Sequence, residues 1–329
     1  MSLNRTSRRA VLLSCTAAVT GALLLSACGS DDSDSDSGKD KTAAATTRQI
    51  TDAQGRKVEV PSDPRKVVTL SEPTTDATLA LGIEPVGVTA GRGQQGVSTY
   101  LADKASKAQV VATVAEADME KLAALHPDLI LLDETTGAKK TVDKLQEIAP
   151  TVVTAKLNED WKKSFTDTAD ALNKKADAEK WLTDFDTEVA GLKKQLGGNA
   201  GRSVSVIRWQ DGAPSVVGKG DGVVGSTLKA LGMTRPKDQQ GASAGHSEPV
   251  SLEKLTTIDG DWLFFGTLGD KADGEKAYRE ARKVTNFGKL RAEKDKHVVV
   301  VEGSAWNSAG GPLSARIVLD DIKGALAER

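Results

Sequence analysis

The sequence predicts an α/β protein built as two lobes joined by a long helix. Three observations carry that expectation. Strand and helix patterns alternate over residues 48–157, and they alternate again over residues 199–329. Between them, residues 158–198 show apolar side chains at helical spacing and no strand pattern.

The chain of 329 residues is long enough for two domains. It opens with "MSLNRTSRRAVLLSCTAAVTGALLLSAC", which has basic residues at Arg5, Arg8 and Arg9, an apolar stretch from 10 to 25, and small residues at its close. That is the layout of a secretory signal over residues 1–27. Ser7-Arg8-Arg9-Ala10-Val11-Leu12 resembles a twin-arginine export signal, leaving Tat and Sec export both open. Leu25-Ser26-Ala27-Cys28 resembles a bacterial lipobox, which implies cleavage before Cys28 and lipid attachment to its thiol. Cys15 lies in the removed segment, so the mature body carries no free thiol for catalysis, disulfide formation or thiolate metal binding. Removing residues 1–27 takes away three arginines and no acid, moving the formal charge from −2 to −5. A mildly acidic body offers no electrostatic footprint for nucleic acid. No later apolar run is long enough to span a bilayer, so contact with the membrane is expected only through the N-terminal lipid.

Residues 28–47, "CGSDDSDSDSGKDKTAAATT", contain too few apolar side chains to offset chain entropy and read as a solvated acidic tether. "RQITDAQGRKVEVP" reads as a small hairpin turning at residues 52–55, followed by a strand at 66–70. A helix over 74–81 stops at Gly82, and a strand follows at 86–89. A short helix covers 117–125, "PDLILLD" reads as a buried parallel strand, residues 139–148 as a helix, and "PTVVTA" closes the first lobe. In the middle section Asn173 interrupts the helical spacing and Gly197-Gly198 ends it, giving two helices, the second long. The second lobe has strands at "SVSVIRW", "PSVVG", "DWLFFG" and "KHVVVVEG", with helices over 223–231, 252–258, 277–284 and 314–327.

Four segments carry a family resemblance: "LALGIEPVGV", "MEKLAALHPDLILLD", "VSLEKL" followed by "DWLFFG", and "AWNSAGGPLSARIVLDDI". In this order, behind a lipobox, they resemble the class III periplasmic binding proteins that serve ferric-siderophore and vitamin B12 ABC importers. The resemblance implies two Rossmann-like lobes, one rigid bridging helix, and a ligand cleft between the lobes. It implies a monomeric binding protein that is not an enzyme, holds no cofactor of its own, and delivers an iron(III)-siderophore complex to a permease dimer. It also implies docking on the permease through one acid per lobe, here Glu120 in "DMEKL" and Glu253 in "SLEKL". The helix dipole alone favours a first-turn glutamate at both places.

Ligands of open α/β sheets sit beyond the carboxyl ends of strands. That rule nominates Glu72, Arg92 and Tyr100 in the first lobe, together with residues 134–136, and Arg208, Trp209, Lys219, His246 and Trp306 in the second. The setting of Trp306 resembles that of a cleft tryptophan in hydroxamate-siderophore binders, and an indole combines apolar area with a donor. Arg208 ends an apolar strand, where a guanidinium calls for an anionic partner. The chain also departs from the hydroxamate pattern: Val114 stands where an arginine is expected, Glu134-Thr135-Thr136 where a tyrosine is, and Gly245-His246 where a tryptophan is. A hydroxamate-type ligand is favoured, with haem or cobalamin as alternatives.

Two rivals remain. A free-metal binder needs several imidazole or carboxylate ligands, and the chain has only His126, His246 and His297, so iron is expected already chelated. An exported nucleotide-dependent oxidoreductase is suggested by the twin arginines and by Gly220-x-Gly222-x-x-Gly225 in "VVGKGDGVVGSTLKALGM". No second strand ending in an acidic residue follows those glycines, and no nucleophile–base pair is evident. They read better as a tight strand-to-helix turn beside the cleft.

Overall fold

The computed structural model describes residues 46–220, 222–241 and 247–328. The export signal, the lipobox with Cys28, nearly all of the tether, and His246 lie outside the described residues.

The body begins with a hairpin, β1 (Thr47–Thr51) paired antiparallel with β2 (Lys57–Pro61). Its turn is held by Asp52, whose carboxylate accepts from the backbone of Gln54 and Arg56 and from the Arg56 guanidinium. The first lobe then runs β3 (Val67–Thr69), α1 (Glu72–Ala80), β4 (Gly87–Thr89), β5 (Gln109–Ala112), α2 (Met119–Ala124), β6 (Leu129–Leu132), α3 (Val142–Gln146) and β7 (Thr151–Val153). All five strands of its sheet are parallel, in the order β5-β4-β3-β6-β7. Successive residues point to opposite faces. Val68, Ile130 and Leu132 therefore enter one apolar cluster, and Val67, Leu129 and Leu131 enter another. The helix expected over 139–148 is shorter: a 3-10 turn at Gly137–Thr141 leads into α3.

Two helices follow, α4 (Trp161–Ala171) and α5 (Lys175–Gln195). Asp160 caps α4 by accepting from the N–H groups of Lys162 and Lys163. Asn173 separates the helices with φ 57°, a left-handed conformation that asparagine tolerates. The 21 residues of α5 span roughly 30 Å at 1.5 Å per residue. Near its start Ala178 packs with Ala77 and Phe165 beside the first lobe. Toward its end Val189 and Leu192, with Leu196 beyond it, join the core of the second. The helix is thus a beam with each end set in a different core.

The second lobe comprises β8 (Val204–Gln210), β9 (Ala213–Val217), α6 (Val223–Ala230), β10 (Ser247–Pro249), β11 (Trp262–Gly266), α7 (Lys271–Ala281), α8 (Arg291–Lys294), β12 (Val298–Val300), α9 (Gly303–Trp306) and α10 (Pro312–Leu326). Its sheet is mixed. β8, β11 and β12 are parallel; at one edge of the order β10-β9-β8-β11-β12, β9 pairs antiparallel with β8 and β10 antiparallel with β9. The cause is local: Asp211 and Gly212 both have positive φ and make the two-residue turn of a β8–β9 hairpin. The expected helix over 252–258 is a 3-10 segment, Leu252–Ile258, kinked at Lys254.

α1 is rich in threonine yet buried along most of its length, because it is wedged between its own sheet, α4 and α10. Its hydroxyls are satisfied within the helix: Thr74 and Thr75 donate to the Ser71 carbonyl and Thr78 to that of Thr74. Phe264 is fully buried at the centre of the second lobe, stacked on Trp306 with ring centroids 4.6 Å apart. Phe264→Ala is expected to cost roughly 3–5 kcal/mol in a urea titration, through lost burial and the cavity left behind. A loss below 1 kcal/mol would mean that this core relaxes to fill the gap.

Candidate functional site

A cavity of about 450 Å³ lies between the lobes. On one side its wall is formed by residues that follow strands of the first sheet: Pro73 and Ala77 of α1, Arg92 after β4, Asp133 and Thr135 after β6, and residues 155–159 after β7. On the other side stand Val217, the glycine turn with Lys219, the start of α6, and residues 308–312 ahead of and at the start of α10. Trp161 and Phe165 of α4 close it between the lobes. The parallel strands β3, β4, β6, β7 and β12 lead into this wall at their carboxyl ends, which is where open α/β sheets place ligands.

Arg92 reaches both this cavity and an adjoining recess of about 410 Å³ lined by Gly93, Arg208, Gln210, Ser247 and Leu268. The structure therefore brings Arg92 and Arg208, one from each lobe, to the same place. Arg208 donates from Nη2 to Ser247 Oγ at 2.7 Å. The Nε of each arginine is buried without an acceptor, and neither guanidinium has a carboxylate partner among the described residues. Burial, and then the neighbouring Arg92 charge, hold the Arg208 guanidinium below its ordinary pKa. Two cations facing one recess without a counter-ion leave donors suited to anionic oxygen.

The glycine-rich turn shows why it has its composition. Gly218 and Gly220 have φ near +73° and +74°. Gly222 begins α6 with no side-chain cap. A Cβ on Gly225 would lie 2.4 Å from the carbonyl oxygens of both Gly218 and Gly220. Glycine at 225 thus lets α6 press against the turn. Arg235 fixes the turn from behind, donating to the carbonyls of Val217 and Gly218 at 2.9 Å each. Lys219 faces the cavity but already pairs with Glu248 at 2.6 Å.

Other nominated residues lie elsewhere. Trp209 is not at the cleft: it packs against Phe265 and Phe287 on the face of β8 opposite Arg208. Tyr100 and Glu72 do not line the cavity and are engaged internally. The Tyr100 hydroxyl donates to Asp76 at 2.8 Å. The Glu72 carboxylate accepts from Ser98 Oγ at 2.5 Å, Ser308 Oγ at 2.6 Å and Arg92 N at 3.2 Å. Trp306 borders the cavity, yet it is 1% exposed, stacks on Phe264, and gives its N–H to Asp321 at 2.8 Å. Its indole belongs chiefly to the core, with the donor already used. Glu120 and Glu253 are exposed in the first turns of α2 and of the 3-10 segment Leu252–Ile258. Trp161 and the loop 155–159 were not nominated, although the loop follows β7 and the strand-end rule reaches it.

Two buried carboxylates adjoin the cavity. Burial pushes Asp133 up, against hydrogen bonds from Thr135 and Ser71 that lower it. Burial pushes Asp76 up to about 6, against hydrogen bonds from Leu313, Ser314, Tyr100 and Gly311. No three His, Cys, Asp or Glu side chains converge to hold a metal among the described residues.

A family model described as periplasmic binding protein matches residues 67–305. The chain is 32% identical over 308 residues to a probable siderophore-binding lipoprotein, YfiY, of Bacillus subtilis, covering 92% of this chain and 93% of that one. It is 27% identical to the petrobactin-binding protein YclQ of the same organism, covering 94% and 96%. Among solved structures, Staphylococcus aureus SirA in complex with staphyloferrin B superposes with a TM-score of 0.70 at 25% identity, covering 85% of this chain and 98% of that one.

Gly225→Ala should cost about 1–3 kcal/mol by overpacking and displace the turn carrying Lys219; an unchanged urea midpoint would show that the turn yields freely. Asp76 titrates higher in the folded chain than its ordinary 3.8, so between 3.8 and about 6 the folded form binds the proton more tightly. Its contribution to stability therefore falls as pH rises through that window and is flat above it. Asp76→Asn should remove that slope from the pH profile of unfolding, and an identical profile would refute the assignment.

Proposed function

The chain belongs to the periplasmic binding protein family, and on that premise we propose that it captures a ferric siderophore with anionic oxygen donors and delivers it to an ABC importer. The observation that carries this reading is the Arg92–Arg208 pair, which faces one recess from two lobes with no carboxylate partner among the described residues. Guanidinium groups recognise the oxygens of a chelate rather than its metal. The matched relatives and the staphyloferrin-bound neighbour support the same ligand class. The Trp306 donor is engaged by Asp321, which weakens the case for a hydroxamate ligand in particular; the two arginines suit hydroxamate, catecholate or carboxylate oxygens, and most of all a chelate of net negative charge.

In this reading the protein works as a monomer without a chemical step. It is held at the extracytoplasmic face of the membrane by a lipid on Cys28, with residues 28–47 as its tether. Glu120 and Glu253, exposed on different lobes, dock on the two halves of a permease dimer.

Tryptophan fluorescence titration against ferric carboxylate, catecholate and hydroxamate chelates, haem, cobalamin and an iron salt tests the ligand class. Saturable quenching by an anionic ferric chelate and not by the iron salt is expected. Response to haem or cobalamin alone would replace the reading. Arg92→Ala and Arg208→Ala should each weaken binding about ten- to one-hundredfold, since hydrogen bonds to charged groups contribute roughly 1.5–3 kcal/mol. A double variant with native affinity would remove the pair from the site. Replacing Glu120 and Glu253 together should leave affinity intact while abolishing uptake in cells, and normal uptake would discard the docking role.

A further inference from the structure

We propose that Glu72 and Asp76, one turn apart on α1, are positioning residues that clamp the second lobe and set the geometry of the cleft. Glu72 spends one oxygen on the first lobe, accepting from Arg92 N and Ser98 Oγ, and the other on Ser308 of the second lobe. Asp76 reaches further across. It accepts from the N–H groups of Gly311 at 3.1 Å, Leu313 at 2.7 Å and Ser314 at 3.0 Å, and from the Tyr100 hydroxyl.

Those three N–H groups belong to the first turn of α10 and the residue before it. An α-helix leaves its first N–H groups without intrahelical partners, and a side chain at the N-cap position ordinarily takes one. Here the N-cap is Gly311, which has no side chain, and α10 has no side-chain cap of its own. Asp76 supplies the missing acceptor from the other lobe. The composition of the α10 start follows: a Cβ on Gly311 would sit 3.0 Å from Asp76 Cγ and Oδ1, so the carboxylate's close approach is eased by glycine there. α10 itself is fixed in the second lobe by Ala315, Val318, Leu319 and Ile322.

The clamp thereby places two parts of the cavity wall at once. On the second lobe it fixes residues 308–311. On the first it holds the backbone of Arg92 directly and the segment 98–100 through Ser98 and Tyr100. That segment makes its own bonds across the cleft, from Thr99 Oγ1 to Glu302 and from Tyr100 N to Ser304 Oγ, while Gln94 donates to the Leu268 carbonyl. The distance between Arg92 and Arg208 is therefore governed from α1.

The inference rests on the fold and stands whichever ligand binds. Its test uses spin labels at Lys104→Cys and Lys283→Cys, one exposed position per lobe, in the soluble chain with Cys15 and Cys28 absent. Pulsed dipolar spectroscopy then reads the interlobe distance without ligand. Asp76→Ala should shift or broaden that distance by about 2 Å or more, the scale of helix movement at packed interfaces. Asp76→Asn keeps one oxygen for Gly311, Ser314 and Tyr100 but turns its amide nitrogen toward the Leu313 N–H, and should give a distribution between those of the native chain and Asp76→Ala. Tyr100→Phe with Ser308→Ala deletes one hydroxyl partner from each carboxylate and no carbon, and should broaden the distribution even if Asp76→Ala does not fold. A native distribution in the hydroxyl double variant, or in a cooperatively folding Asp76→Ala chain, would overturn the clamp.

Discussion

In a β/α unit the helix that follows a strand begins where the strand ends, so a sheet of such units gathers strand ends and helix N-termini along one edge. Two lobes that meet edge to edge then direct several sets of unpaired N–H groups at a single space. α1, α4, α6 and α10 all start at this cavity. The chain answers each start differently. Ser71 caps α1, Asp160 caps α4, and Asp76 caps α10 from across the lobe boundary, while α6 starts at Gly222 with no side-chain cap. The arginines add positive charge to a space already biased that way. The preference for an anionic ligand that we propose would thus follow from the topology before it follows from any one residue.

The architecture was legible because burial writes itself into sequence as period. "PDLILLD" announces the interior strand β6, and the loss of strand pattern after residue 158 announces α4 and α5. The antiparallel edge of the second sheet was missed, although Asp211-Gly212 between apolar runs is a hairpin signal in plain view. β10 is Ser-Glu-Pro, with no apolar side chain to mark burial, and β5 offers only the pair Val110-Val111 between Gln109 and Ala112.

The site was legible in part, for a reason that strand geometry makes explicit. Arg208 and Trp209 are consecutive in β8, so they point to opposite faces and cannot share a cleft. The two-residue period of β8 separates them. Trp306 was misread differently: its neighbours gave no sign that Asp321, one helix later, would take its N–H. Glu72 follows β3 and is reached by the strand-end rule, but neither it nor Asp76 carries a local sign of an interlobe bond. Their partners stand more than 200 residues away at Ser308 and Gly311, and no local pattern records such a distance.

The helix α5 has its opening turns against Ala77 and Phe165 and its closing turns against Val204 and Phe264. A helix is cooperative along its length, so it cannot stay ordered at one end while the other loses its support at no cost. Melting of either lobe would strip apolar surface from half of this beam and unravel the footing of its neighbour. The two sheets, though separate in hydrogen bonding, are therefore one thermodynamic unit. A protein whose task is to hold two walls apart at a fixed spacing gains from that arrangement, because a half-melted form with one intact wall has little stability of its own.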